Sequence, residues 1–375
     1  MAFLDESKKR VAILSTHRAN NFGAMLQAYS LVEMCKELGA DAELLDWRCP
    51  HYERMYHLNR IRGLSLRALW YNWWKLLIER KSRKMFEAFR RRLKMSAPIY
   101  LRSELENAEN AYDVFITGSD QVWNPINSAP RDNPEAFDRA YLLDFVRQKS
   151  KNSYAASIGV PEIKPDSLKP EFVEAWRTFD VISTREHAGA ELVARMSGHP
   201  AITVLDPVLL HDAKWWTQRC VGSIHLPKRY VFEYNVSQIE ELDKAAISVS
   251  RSCGCKLVKP IIPGQARYNN IFGWDMGPED FVNSVCRADC VLTSSFHCAA
   301  FALIFRKKLY LATRNDNNRP NSRFDSLFRF ANLEPKIVRQ NHGEIISTLD
   351  FARLDETQMR KIKLSSIELL KGIVS

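Results

Sequence analysis

The chain has 375 residues, 46% of them hydrophobic and 11% aromatic, which supplies about two packed cores at ordinary domain sizes. Its formal charge is +10, from 54 Lys and Arg against 44 Asp and Glu. No stretch approaches the roughly 18 uncharged apolar residues of a membrane-spanning helix, which excludes a helical membrane protein.

The first residues are charged and run straight into an apolar strand at 9–15, so no secretory signal is expected at this end. A polar loop follows, Thr16-His17-Arg18-Ala19-Asn20-Asn21-Phe22-Gly23. Then comes a helix over 24–38, stopped by Gly39 where a positive φ is wanted. Residues 42–47 form the next strand, and this strand–helix–strand order predicts a parallel sheet.

The excess charge sits largely in the next segment. Between Arg60 and Lys94 there are twelve Lys or Arg and two acids, Glu79 and Glu87. Within it, Leu66, Leu69, Trp70, Trp73, Trp74 and Leu77 fall at helical spacing. Two readings stay open: a helix that covers the core with its basic face solvated, or a contact with an anionic surface such as a membrane. Nucleic acid is not expected, because no helix-turn-helix, finger or aromatic RNA-binding motif accompanies the charge.

Strands are predicted at 112–117, 153–158, 181–184 and 202–205, the last ending in Asp206-Pro207. A linker is placed near 211–226. A second parallel sheet follows, with strands at 230–234, 257–260 and 309–313 and a helix at 239–250. Gly277-Pro278-Glu279-Asp280 opens another helix, as helix starts prefer. A last amphipathic helix covers 354–374. The domains are thus 1–215 with a basic helical insert at about 54–95, then 226–350, then a C-terminal helix at 351–375. The eight cysteines are scattered without zinc spacing and read as reduced thiols of a cytoplasmic protein, with no metal.

Between the last two helices lies the most informative stretch. A short apolar strand at Val291 and Leu292 runs into Thr293-Ser294-Ser295-Phe296-His297, and a small apolar helix follows. Ligands of open α/β sheets bind at such strand ends, and helix N-termini there attract anions. A histidine at this turn is placed to give a proton to a bound anion. Taken alone, Ser294 or Ser295 is equally a helix cap and His297 a turn residue.

An ordered series of motifs resembles the polysaccharide pyruvyl transferase family. It comprises Asn20-Asn21-Phe22-Gly23-Ala24-Met25-Leu26-Gln27, then Gly118-Ser119-Asp120-Gln121-Val122-Trp123-Asn124, then Ser153-Tyr154-Ala155-Ala156-Ser157. Thr184-Arg185-Glu186, Leu205-Asp206-Pro207, Ser294-Ser295-Phe296-His297 and Asn321-Ser322-Arg323 complete it, across about residues 9–335. The resemblance implies two Rossmann-like domains facing a cleft, a GT-B-like arrangement. It also implies transfer of a pyruvyl group from phosphoenolpyruvate, as co-substrate and with no other cofactor, to two hydroxyls of one sugar.

On that resemblance His297 is the general acid. Arg185, Ser294 and Ser295 are expected on the donor, with Lys308 and Arg323 as weaker donor candidates. Asn20, Asn21, Gly23, Gln27, Ser119 and Gln121 are expected to line the saccharide acceptor. Asp120 is either a base for an attacking hydroxyl or an Asx-turn residue. Cys298 departs from the glycine that relatives commonly carry after the histidine, and it would crowd a ligand nearing the backbone. Two other functions stay open: a sugar-nucleotide glycosyltransferase on the same architecture, and a non-catalytic glycan-binding protein.

Overall fold

A computed structural model of the protein describes residues 8–48, 66–124, 138–159, 168–261, 273–314, 322–341, 343–349, 351 and 354–375. The first half contains β1 (Arg10–Leu14), α1 (Phe22–Glu37), β2 (Asp41–Leu44), α2 (Leu66–Arg90), α3 (Arg102–Asn107), β3 (Val114–Thr117), β4 (Ser150–Ser153), α4 (Pro170–Trp176), β5 (Ile182–Thr184), α5 (His187–Ser197), β6 (Ala201–Thr203) and α6 (Ala213–Arg219). The second contains β7 (Tyr230–Tyr234), α7 (Glu240–Ser252), β8 (Lys256–Val258), α8 (Pro278–Arg287), β9 (Cys290–Thr293), α9 (Phe296–Ile304), β10 (Lys308–Arg314), α10 (Ser322–Ala331), β11 (Lys336–Asn341), β12 (Glu344–Leu349) and α11 (Glu356–Val374).

The first sheet is parallel in the order β2-β1-β3-β4. Isolated bridges from Asn152 to Val181 and from Ala156 to Thr184 carry it on to the parallel pair β5-β6. Its central strands are buried on both faces, as an apolar run such as Val11-Ala12-Ile13-Leu14 requires. The predicted strand at 153–158 is displaced. It ends at Ser153 because Ala155 turns to φ 52, outside the strand region. Just before that turn a serine pair adds to the backbone bonds toward β5: Ser153 Oγ donates to Ser183 O at 3.0 Å and Ser183 Oγ to Ser153 O at 2.8 Å.

The second sheet runs β11-β12-β10-β9-β7-β8. Its β8, β7, β9 and β10 are parallel as expected, but β12 and β11 are antiparallel additions. Together the two sheets make an α/β protein of two Rossmann-like halves in a GT-B-like arrangement.

The halves share one core. Phe22, in the first turn of α1, stacks on Phe281 of α8 at 4.6 Å and meets Tyr234 of β7 edge-on at 5.5 Å. The expected linker region contains α6, whose Trp216 is fully buried and donates its indole N–H to Val208 O at 3.0 Å. Helix α11 crosses back to the first half. Leu205 N donates to its Ser366 Oγ at 3.1 Å, and Leu370, Ile373 and Val374 are buried.

The basic helix α2 divides along its length. Ser82, Phe86 and Phe89 are buried, and Ser82 Oγ donates to Met276 O at 2.9 Å. The core face predicted from the tryptophans is not where it was expected. Trp73 is 60% exposed and Leu77 48% exposed, because the buried stripe at 79, 82, 86 and 89 turns 73 and 77 outward. Among the described residues no helix is long and apolar enough to cross a membrane.

Candidate active site

Each sheet reverses its winding once. In the first, the chain leaves β1 for β2 on one side and reaches β3 on the other, so the crevice lies outside the carboxyl ends of β1 and β3. Ser15, Thr16, Ser119 and Asp120 stand there. Gln27 Nε2 donates to Ser15 Oγ at 2.7 Å, Ser15 Oγ to Ser119 O at 3.3 Å, and Thr16 Oγ1 to the Asp120 carboxylate at 2.9 Å. Asp120 adopts φ 79, a left-handed conformation that few residues other than Gly take. The matching point of the second sheet lies between β7 and β9. There Thr293 Oγ1 donates to Tyr234 O at 2.7 Å, and Ser294 Oγ accepts from Ser237 N at 3.0 Å and sits 3.2 Å from Asn235 Oδ1. Ser295 then caps α9 by position, with no side-chain cap bond, and His297 follows in the first turn.

The two switch points meet at His297. Its ring lies against Gly23, where an added Cβ would stand 2.1 Å from Nδ1, so a side chain at position 23 would push the imidazole from this place. Its Nε2 lies 3.5 Å from Asp206 Oδ2. That same oxygen accepts from Ser119 Oγ at 2.8 Å and from Arg185 Nη1 at 3.0 Å. Arg185 also reaches Glu186 Oε1 at 3.3 Å and lies 4.2 Å from the centre of the Phe296 ring. Ser157 Oγ donates to the same Glu186 oxygen at 2.5 Å. Arg185, Glu186 and Asp206 are all buried, and Arg185 Nη2, Glu186 Oε2 and His297 Nε2 are buried without a hydrogen-bond partner.

The electrostatics follow from this packing. Burial alone would raise the Asp206 carboxyl, but His297 and then Arg185 beside it hold it well below the usual carboxylate range. Burial would likewise lower Arg185; Glu186, Asp206 and Asp120 overturn that and raise it. The nearby Tyr154 phenol is pushed well up, first by burial and then by Asp206. Cys298 is fully buried, and burial lifts its thiol to about 12, so it is an inert core side chain and not a reactive one.

His297, Arg185, Ser119 and Gly23 are therefore gathered at one place, with Asp120 on the adjoining turn. The other expected residues are spread around it. Asn21 caps α1, its Oδ1 accepting from Ala24 N at 3.2 Å, and Asn20 Oδ1 accepts from Arg90 at 2.9 Å. Gln27 is fully buried behind the β1 turn and does not line a surface. Gln121 folds onto Asn124, whose Nδ2 donates to it at 2.8 Å. Lys308 is not brought to the site. It opens β10 opposite Cys290, at the amino end of the sheet, three residues before the Thr293 level and so about 10 Å from it. Arg323 stands in the first turn of α10, whose Phe324 lies 6.3 Å from Phe296; Asn321 lies outside the described residues.

Sequence reasoning missed Asp206 as the centre of this cluster. Asp-Pro after a strand reads as a turn cap, and Asp206 is one, since its Oδ1 accepts from Val208 N at 3.1 Å. Its second oxygen carries the convergence, which only the tertiary structure reveals. A second buried pair was also missed: His17 Nε2 lies 3.6 Å from Asp46 Oδ1, and burial lowers the histidine. A cavity of about 560 Å³ lies beyond Leu205, lined by residues that include Thr203, Phe330, Asp355, Gln358, Lys361 and Ser366. None of the expected site residues lines it.

No curated protein matches the chain. Among solved structures, the UDP-GlcNAc 2-epimerase from Neisseria meningitidis bound to UDP-GlcNAc is similar at 11% identity and TM-score 0.45, covering 98% of this chain and 94% of that one. The UDP-GlcNAc 2-epimerase from Methanocaldococcus jannaschii is similar at 10% identity and TM-score 0.44, covering 96% and 99%. The E. coli heptosyltransferase WaaC with ADP is similar at 12% identity and TM-score 0.36, covering 80% and 86%. A family model described as polysaccharide pyruvyl transferase matches residues 21–316, a span that runs from Asn21 through Asp120, Arg185 and Asp206 to His297. The chain belongs to the polysaccharide pyruvyl transferase family and is a transferase enzyme.

Proposed function

We propose that the protein transfers a pyruvyl group from phosphoenolpyruvate to two hydroxyls of one sugar, in a surface polysaccharide or its lipid-linked precursor. The products are a cyclic ketal and phosphate. The observation that carries this reading is the convergence of His297, Arg185 and Ser119 on Asp206 beside Gly23, at the carboxyl ends of strands from both halves. His297 protonates the methylene carbon, and carbon two gains oxocarbenium character. One sugar hydroxyl adds there and gives its proton to Asp120. The second hydroxyl then adds as the carbon–oxygen bond to phosphate breaks; its proton restores His297, and the proton on Asp120 passes to the departing phosphate. Positioned acid catalysis of this kind contributes roughly 10²–10⁴-fold.

Arg185 Nη2 and the backbone N–H groups opening α9 after Ser294 and Ser295 are suited to the donor's anionic groups, with Arg323 at the start of α10 as a further candidate. Asn20, Asn21 and Gln121 stand on the turns after β1 and β3 and are assigned to the acceptor side. The seven described cysteines are free, which supports a reducing compartment such as the cytoplasm.

Phosphate release from phosphoenolpyruvate, measured against a panel of saccharides with vicinal or 4,6-related hydroxyls, tests the reading. Release that depends on one acceptor, with a ketal-bearing product by mass, is expected. No release with any acceptor, together with turnover of a nucleotide sugar, overturns it.

The exposed stripe of α2 supports peripheral contact with an anionic membrane. Trp73 and Leu77 are followed at helical spacing by exposed Arg80, Lys81 and Lys84. Such contact would bring the enzyme to a lipid-linked acceptor.

A further inference from the structure

The buried cluster at the site is out of charge balance without its histidine. Arg185 carries one positive charge, while Asp206 and Glu186 carry two negative ones, and all three are at most 2% exposed. A net negative charge buried in that way is costly unless a cation joins it. The group within reach is His297, with Nε2 turned to Asp206 Oδ2 at 3.5 Å and Nδ1 turned to Gly23. Among the described residues, the other titratable groups that act on this cluster are Asp120 after β3 and Tyr154 after β4, neither of which adds a positive charge.

We propose that Asp206 is the positioning residue of this enzyme. It holds His297 as an imidazolium with its Nε2–H turned inward, so that the proton given to the donor leaves from Nδ1, beside Gly23 and the N-terminus of α1. The proton balance is simple. Nδ1–H breaks as a carbon–hydrogen bond forms at the methylene group, the imidazole becomes neutral with its Nε2–H still facing Asp206, and a proton released by a sugar hydroxyl restores it. Asp206 stays ionised throughout, held by Ser119 Oγ at 2.8 Å and Arg185 Nη1 at 3.0 Å. The low position of its carboxyl, set against burial mainly by His297, agrees with this pairing. The direction of proton delivery rests on the pyruvyl-transfer reading; the pairing itself does not.

The test is a ¹⁵N titration of histidine-labelled protein, with the His297 signals assigned by their loss in His297→Gln. In the unsubstituted enzyme the Nε2 signal of His297 is expected to show a proton held toward Asp206 on both sides of the titration. Asp206→Asn is expected to lower its midpoint by about one pH unit or more, a tenfold change in protonation. Ser119→Ala, which leaves the carboxylate but removes a donor from it, is expected to raise the midpoint. Opposite shifts are not what a merely structural contact produces. Coincident titrations in all three proteins overturn the pairing, and if Asp206→Asn does not fold, an unchanged or lowered midpoint in Ser119→Ala does so alone. The basic limb of the kcat–pH profile for phosphate release should move with the NMR midpoint, with KM for phosphoenolpyruvate changing less than kcat. NMR shifts without any phosphate release would leave the pairing standing and sink the pyruvyl-transfer reading instead.

Discussion

Gly23 and His297 belong to different halves of the protein, yet they are in direct contact: a methyl group on residue 23 would stand 2.1 Å from the imidazole Nδ1. Gly23 therefore shapes the position of the proposed acid, and its lack of a side chain serves this contact more than the helix. Alanine favours a helix interior over glycine by about 1 kcal/mol. The Gly23→Ala change thus sets a small local gain against displacement of His297. Displacements of about 1 Å cost about 10²-fold in rate. A fall of that order in kcat with a melting temperature within a few degrees of the unsubstituted protein is expected. Unchanged turnover would show that the imidazole works from another position.

His297→Ala removes the proposed acid while leaving Asp206 with Ser119 and Arg185. Turnover should fall by roughly 10²–10⁴-fold with a smaller change in KM for phosphoenolpyruvate, read from steady-state phosphate release. A mutant at near-normal kcat removes His297 from the chemistry.

Phe22 ties the halves together, stacked on Phe281 and edge-on to Tyr234 while itself 1% exposed. Phe22→Ala should destabilise the protein by about 3–5 kcal/mol. Because one core spans both halves, urea unfolding followed by far-UV circular dichroism should remain a single transition with a lower midpoint. Two resolved transitions in the unsubstituted protein would show instead that the halves fold independently.

Much of this centre was legible in the sequence because polar residues interrupt apolar strands at their carboxyl ends. Ser119, Asp120, Arg185 and His297 all follow such strands. Asp206 was not legible, since an aspartate before proline satisfies a local turn whether or not its second oxygen is used elsewhere. Lys308 misled for a related reason: lying next to an apolar strand does not say which end of the sheet a residue occupies. The β11–β12 hairpin was invisible because Lys336–Asn341 is almost wholly exposed and carries no apolar alternation. Trp73 and Leu77 showed the right period with the wrong face, because the core stripe was set by Phe86 and Phe89 farther along the helix.

Glu233 offers a pH-dependent test away from the site. It is 1% exposed, and its Oε2 lies 2.7 Å from Lys259 Nζ, which also meets Asp243 at 2.9 Å. One lysine cannot neutralise two carboxylates. Burial, with Asp243 beside it, pushes Glu233 from 4.5 up to about 9, against the pull of Lys259. The folded state thus binds a proton that the unfolded state releases above about pH 4.5, so Glu233 costs stability progressively as pH rises from there towards about 9. Glu233→Gln mimics the protonated acid and lacks this cost. Its stability relative to the unsubstituted protein should grow between pH 5 and pH 8 in paired urea titrations. A constant or shrinking difference would mean that Glu233 is ionised in the fold.

The exposed end of α2 leads to the last prediction. Trp73 and Leu77 are exposed on a helix whose next turns present Arg80, Lys81 and Lys84 to solvent. Each basic residue near an anionic leaflet contributes about 1 kcal/mol, and the apolar pair adds insertion into the interface. The protein should therefore sediment with vesicles containing phosphatidylglycerol and much less with phosphatidylcholine alone, and binding should weaken as salt is raised. Trp73→Ser with Leu77→Ser should reduce that binding while leaving phosphate release with a water-soluble acceptor unchanged, because neither residue touches the His297 site. Equal failure to bind both kinds of vesicle would return the basic stripe to the role of a solvated helix face.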